Sequence, residues 1–157
     1  MPTPGAFRRI DDAFAVVRQH LDAAGAWSTE AEVLLTSSLV LLVVSEYETV
    51  IEALFGRRGD APGDAELAAF VRSTISRRFR SPDLGKITSM LKQFDAAKDS
   101  QFRALFDDAD HAAWDRVMRA RHSIVHGEGN VRLTFRELAS TLPATKKIVH
   151  ALDHCLK

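Results

Sequence analysis

Apolar residues recur at three- and four-residue steps at Phe7, Ile10, Phe14, Val17 and Leu21. That spacing lines up one face of a helix and predicts an amphipathic first helix ending near Gly25. Thr29 and Glu32 stand at capping-box spacing. The run from there to Phe55 is apolar on nearly all sides between Leu39 and Val44, which predicts a long central helix surrounded by others. The segment from Gly56 to Gly63 holds several glycines and Pro62 and reads as a loop. Asp64 is then placed to cap a third helix carrying Leu67, Phe70, Val71 and Ile75.

Ser81-Pro82 is expected to open a fourth helix, because proline suits the first helical position, with Leu84, Ile87, Met90, Leu91 and Phe94 as its apolar face. A short helix around Phe102 to Phe106 follows. From Asp110 the pattern predicts a helix carrying Trp114, Val117, Met118 and Arg121 towards Gly127, with a turn over Gly127 to Asn130. Val131, Leu133 and Phe135 alternate briefly as an extended link. Thr134 with Glu137 repeats the capping-box signature and opens a last helix, which Pro143 is expected to kink or split. No strand-rich region, internal repeat or long linker interrupts this series. The expectation is an all-α bundle, one domain over residues 1–157, with a long central helix.

Composition narrows the picture. A chain of 157 residues, 46% hydrophobic and 27% charged, is long enough for one domain with a real core. Lys plus Arg and Asp plus Glu balance at 21 each, so any contact with nucleic acid must come from local patches rather than a global positive field. Arg57-Arg58, Arg77-Arg78-Arg80 and Lys146-Lys147 are the basic clusters that could track a phosphate backbone, although such runs ordinarily form solvated faces. The lone Cys155 leaves no internal disulfide and suits a reducing compartment. The N-terminus has no apolar signal-peptide core. The longest apolar stretch, Val33 to Val44, is broken by Thr36, Ser37 and Ser38 and reads as too short and polar to span a bilayer. A cytoplasmic protein with no membrane contact is expected.

Candidate chemistry is concentrated in Arg121-His122-Ser123-Ile124-Val125-His126-Gly127. An arginine holds a phosphate and a histidine moves a proton. Metal-free RNA cleavage needs little more, since the ribose 2′-hydroxyl supplies the nucleophile. Helical positions five apart differ by about 140°, so Arg121 and His126 do not share a face through helix geometry alone. The reach of Arg121, a frayed last turn or a symmetric dimer would have to bring them together. The alternative is structural: Arg121 pairs with a carboxylate and His126 is an ordinary helix-end residue. Glu46, with Leu42, Val43 and Val50 as helical neighbours, is expected to be buried and to need a cation. Arg121 is the chosen partner, with another arginine as the alternative. His122 with His126, and His150 with His154, have zinc-ligand spacing, but neither pair has the glutamate or third ligand of a zinc hydrolase, so no metal or other cofactor is expected.

With this helical layout and the Arg121-x4-His126 motif, most of the chain resembles the HEPN superfamily, particularly its RiboL-PSP-HEPN-like branch. The likeness rests on the motif at the end of a late helix, His122 directly after the arginine, the His126-Gly127 pair, the Val131 to Phe135 segment and the Glu46-Tyr47-Glu48 region of the central helix. The resemblance implies an all-α bundle that dimerises to form a composite cleft from two motifs. It also implies metal-independent endoribonuclease activity leaving a 2′,3′-cyclic phosphate and a 5′-hydroxyl. Carried over by position, Arg121 would bind the scissile phosphate and His126 would act as general base or acid. His122 would orient the partner motif or the RNA, and Glu46 would hold Arg121. Such proteins are often toxins or antiviral effectors restrained by an inhibitory partner or antitoxin. One branch is modified on a tyrosine shortly after the motif histidine. Here Gly127, Glu128 and Gly129 follow, and Tyr47 is the only tyrosine.

Three functions compete at this level: an RNA-cleaving enzyme, a catalytically silent module binding nucleotide, RNA or a partner protein, and a purely structural helical dimer. The presence of both Arg121 and His126 favours the first. The third gives Glu46 no role.

Overall fold

A computed structural model describes residues 4–60, 63, 65–78, 82–127 and 132–157. Within them the chain forms seven helices and no strand: α1 (Pro4–Ala24), α2 (Glu30–Asp60), α3 (Ala65–Arg78), α4 (Leu84–Phe94), α5 (Ala96–Arg103), α6 (Asp108–His126) and α7 (Phe135–Leu156). This is the all-α bundle expected, built on a central α2 of 31 residues.

Three contacts fix how α2 runs beside α7. Glu32 meets the backbone of Phe135, the Tyr47 hydroxyl meets Thr145 Oγ1 at 2.8 Å, and Arg57 reaches Asp153 at 3.0 Å. Start lies by start and end by end, so the two helices are parallel. α6 returns antiparallel to both, its Asp110 against Lys147 and its Trp114 ring stacked on Tyr47 at 5.3 Å. α1 is also antiparallel to α7, with Phe7 against His150 and Phe14 against Phe135. The core is therefore a stack of aromatic and branched aliphatic side chains around Tyr47, Trp114, Phe55 and Ile51, all essentially inaccessible. Burial at this level removes roughly 25 cal/mol of unfavourable hydration per Å² of apolar surface.

Local chemistry explains most element ends. Gly127 closes α6 with φ 68° and ψ 18°, a left-handed conformation that costs glycine little, and its N–H bonds to Ser123 O. Thr134 and Glu137 form the capping box that starts α7. At α2 the expected box is altered. Thr29 Oγ1 turns back to Ala26 O, while Glu32 accepts the N–H of Ser28 at 2.7 Å and, with its other oxygen, that of Phe135 at 3.1 Å. One buried carboxylate thus ties the α1–α2 turn to the first residue of α7.

Five expectations are corrected. The Gly56 to Gly63 segment is not a loop throughout: α2 continues to Asp60, with Gly56 and Gly59 inside it. A Cβ at Gly59 would overlap Val71, so this glycine serves close approach of α3 rather than chain reversal. Pro82 does not open α4; Asp83 caps it, and Pro82 O instead accepts the Trp114 indole N–H at 3.0 Å. The short helix lies earlier than Phe102 to Phe106, over Ala96–Arg103, because Asp95 caps it immediately after α4. Pro143 does not split α7, which runs for 22 residues through it. α6 also begins slightly before Asp110, since Asp107 is its N-cap and Asp110 closes the capping box from the third position. Asp64, Ser81, the turn from Glu128 to Asn130, and Val131 lie outside the described residues.

α2 is long and apolar enough to cross a membrane, with a mean hydropathy of 1.6 over its best window, longer than the Val33 to Val44 stretch alone indicated. Half of that window is buried by the bundle, as for a core helix.

Candidate functional site

The end of α6 carries the Arg121 to His126 segment. Trp114 fixes the level of α6 against Tyr47, and Arg121 lies seven residues further on, about 10 Å along the axis towards the start of α2. That is about the level of Val40 in α2, and the side chain is half-buried.

That placement separates Arg121 from Glu46. The carboxylate is buried as expected, 7% exposed, but its cation is Arg9 of α1, with Nη1 2.7 Å from Oε1. No ion pair joins Glu46 to Arg121 among the described residues. The expected role of Glu46 as holder of Arg121 is thus corrected. On α2, Glu46 and Tyr47 are adjacent and so differ by about 100°. Tyr47 faces α6, which leaves Glu46 turned towards α1.

Arg121 itself has no carboxylate or hydrogen-bond partner among the described residues. Most other described cations do: Arg9, Arg57, Arg72, Lys92, Arg103, Arg116, Lys146 and Lys147 each face a carboxylate. A half-buried guanidinium without an anion is a group that would gain from one, because its planar fork matches a phosphate or carboxylate.

His122 and His126 are both exposed, and their rings lie 4.3 Å apart, tilted by 46°. They share the outer face of the last turn, as their four-residue spacing requires. Within one chain Arg121 and His126 therefore point in different directions, as the 140° separation predicts. A single copy presents a guanidinium on the bundle side and an imidazole pair on the solvent side. Beside them, Val125 is 52% exposed, and Leu34 at the start of α2 is 62% exposed, leaving apolar surface at the same end of the molecule.

The basic clusters read from sequence are largely spoken for. Arg57 meets Asp153, Lys146 meets Asp11 and Lys147 meets Asp110. The side chains of Arg77, Arg78 and Arg80 lie outside the described residues. His150 packs its ring against Phe7 at 5.1 Å, and no group of three or more His, Cys, Asp or Glu side chains among the described residues is arranged to hold a metal ion. The buried Tyr47 phenol, pushed above its ordinary range by burial, is a core group held by Thr145.

Sequence reading missed a further group. Arg18, Arg132 and Arg136 also have no carboxylate partner among the described residues, and all three lie around the junction of α1, the α1–α2 turn and the start of α7. They are scattered along the chain, so no local run of charge marked them.

Comparison with known proteins finds no matching family model, no matching curated protein and no matching solved structure.

Proposed function

We propose that this protein is a HEPN-like, metal-independent endoribonuclease acting as a homodimer, with Arg121 and His126 as its catalytic residues and His122 beside them. The observation that carries this reading is Arg121: a half-buried arginine without a carboxylate among the described residues, at the same helix end as two exposed, adjacent imidazoles. In the reaction the 2′-oxygen bonds to phosphorus and the P–O5′ bond breaks. A base takes the 2′-hydroxyl proton, an acid returns one to the 5′-oxygen, and a guanidinium offsets the charge that builds on the phosphoryl oxygens. A cyclic phosphate and a 5′-hydroxyl result. Two copies supply what one cannot, because the divergence of Arg121 and His126 within a chain is resolved when His126 of one copy faces Arg121 of the other. The exposed Leu34 and Val125 supply apolar area for such a contact. A role as a toxin or antiviral effector in the cytoplasm, restrained by an inhibitory partner or antitoxin, follows from the family resemblance.

That same divergence favours a second reading, a catalytically silent module that binds RNA, nucleotide or protein through Arg121 alone. Incubation of the protein with mixed RNA in EDTA, with the ends of any fragments identified, separates the two. Cyclic-phosphate ends support the enzyme. Intact RNA, across several sequences and with a confirmed dimer, supports the silent module.

A further inference from the structure

We propose that the groove where the end of α1 meets the α1–α2 turn and the start of α7 binds single-stranded RNA, with Arg18, Arg132 and Arg136 on its phosphates and Trp27 beneath a base. The identity of the ligand as RNA rests on the ribonuclease reading above; the site itself rests on the following geometry.

Two neighbouring clefts of about 640 and 680 Å³ share Ser28, Glu32 and Thr134 in their linings. Each is the size of an ordinary ligand site. Three arginines line it. Arg18 has its guanidinium carbon 5.7 Å from the centre of the Phe135 ring, and neither it, Arg132 nor Arg136 meets a carboxylate among the described residues.

Asp22, Glu30 and Glu32 also line the clefts and match the three arginines in formal charge. Asp22 accepts the Trp27 indole N–H at 2.9 Å, and both oxygens of Glu32 accept the backbone N–H groups of Ser28 and Phe135. Two of the three acids thus hold the walls in place, and none of the three arginines forms an ion pair among the described residues, so an incoming phosphate has no ion pair to break there.

Trp27 adds a reason to expect bases as well as phosphates. Its polar edge is tied to Asp22, its ring packs edge-on against Phe135 at 5.5 Å, and it remains 38% exposed. A fixed, partly open indole beside unpaired arginines is the combination that binds unpaired bases with little sequence preference. A duplex buries its base faces and offers nothing to stack. The groove also lies at the end of the bundle that carries Arg121, because the link from α6 leads through Arg132 into α7. A strand held there is delivered to the motif.

Fluorescence tests this directly, since the chain has two tryptophans and Trp114 is fully buried. The probe is an unstructured 2′-O-methyl oligonucleotide of about ten nucleotides, a length matched to such grooves and lacking the nucleophile needed for cleavage. Binding to the wild-type protein should quench Trp27, and a duplex of the same sequence should not. Trp27→Phe, which keeps the ring packing, should abolish the quench, and Trp27→Ala should weaken binding about tenfold. The triple variant Arg18→Gln, Arg132→Gln, Arg136→Gln should melt like wild type and reduce the slope of log affinity against log salt by about 2. An unchanged quench by duplex, or an unchanged salt slope in the triple variant, would overturn the proposal. Oligonucleotide binding with these signatures but no cleavage of unmodified RNA would sink the ribonuclease reading and leave the site standing. Cleavage with binding unaffected by the triple variant would do the reverse.

Discussion

The two ends of the bundle are built on different rules. At the end where α2 and α7 finish, most described cations meet a carboxylate: Asp153 takes both Arg57 and Lys157 at 3.0 Å, Asp60 takes Arg72, and Asp110 takes Lys147. Arg58 has no carboxylate among the described residues, and Lys98 donates to the Cys155 carbonyl instead. At the other end, where α2 and α7 begin and α6 stops, Arg18, Arg121, Arg132 and Arg136 have no carboxylate among the described residues. His122, His126, Trp27, Leu34 and Val125 are exposed there as well. Exposed apolar side chains occur at both ends, Phe94 and Leu105 among them, so the contrast lies in the arginines. It is on that contrast that we propose recognition at the end where α2 and α7 begin.

The largest expected effect probes the structural end. Phe55 is fully buried near the end of α2 and stacks on Phe94 at 5.9 Å. Phe55→Ala should cost about 3–5 kcal/mol in urea unfolding, the usual loss for a buried aromatic ring. A loss under about 1 kcal/mol would mean that this end is not the packed one.

Glu46→Ala sharpens the comparison from the middle of α2. The Arg9 guanidinium is 70% exposed, so loss of this pair should cost about 1 kcal/mol or less and leave any RNA cleavage unchanged. A collapse of cleavage with little change in stability would restore Glu46 to the site.

The acid response of folding should be smaller still and is fixed in sign. The hydrogen bond from Lys147 holds the Asp110 carboxyl below its usual range, and backbone and side-chain bonds from Thr134 do the same for Glu137. Burial opposes the shift at Asp99, but Lys92 and Arg103 outweigh it. Groups that bind protons less readily when folded stabilise fully above the ordinary carboxylate range. That contribution is lost as pH falls below about 4, through the lowered folded values. Asp110→Asn should flatten the acid limb of a stability-against-pH curve, and an unchanged limb would mean that this pair does not form in water.

The smallest effect on stability belongs to Arg121. With no carboxylate partner among the described residues, Arg121→Gln should change unfolding by less than about 0.5 kcal/mol. A loss of several kcal/mol would expose a structural partner. Arg121→Lys should fold equally well and still lose phosphate recognition, because the point charge is kept but the planar fork is not.

Much of this fold was legible in the chain because the deciding signals are local. The apolar spacing of α1, the Gly127 stop and the Thr134–Glu137 box each involve residues within one turn, and the structure reproduces them. What misled were residues with two uses. Gly56 and Gly59 read as chain breakers, yet Gly59 is small because Val71 packs against it. Pro143 reads as a kink or a split, yet α7 continues through it without a split. At the candidate site the sequence marked Glu46 as buried but could not name its cation, since Arg9 is brought there only by the packing of α1 on α2. Adjacent basic residues were the visible clusters, and of their described members Arg57, Lys146 and Lys147 are paired while Arg58 is not. Of the arginines without a carboxylate, Arg18 is far in sequence from Arg132 and Arg136 and comes near them only because the end of α1 lies against the start of α7.

The most direct test of the recognition end compares wild type with His126→Ala on the same RNA in EDTA, with melting followed in parallel. Among the described residues the exposed His126 meets only the His122 ring, so the account predicts equal melting. Wild-type fragments should end in cyclic phosphates, and cleavage by the mutant should be about 100-fold slower or more, the usual loss for a general acid or base. Equal cleavage by both proteins, or none by either, would contradict it.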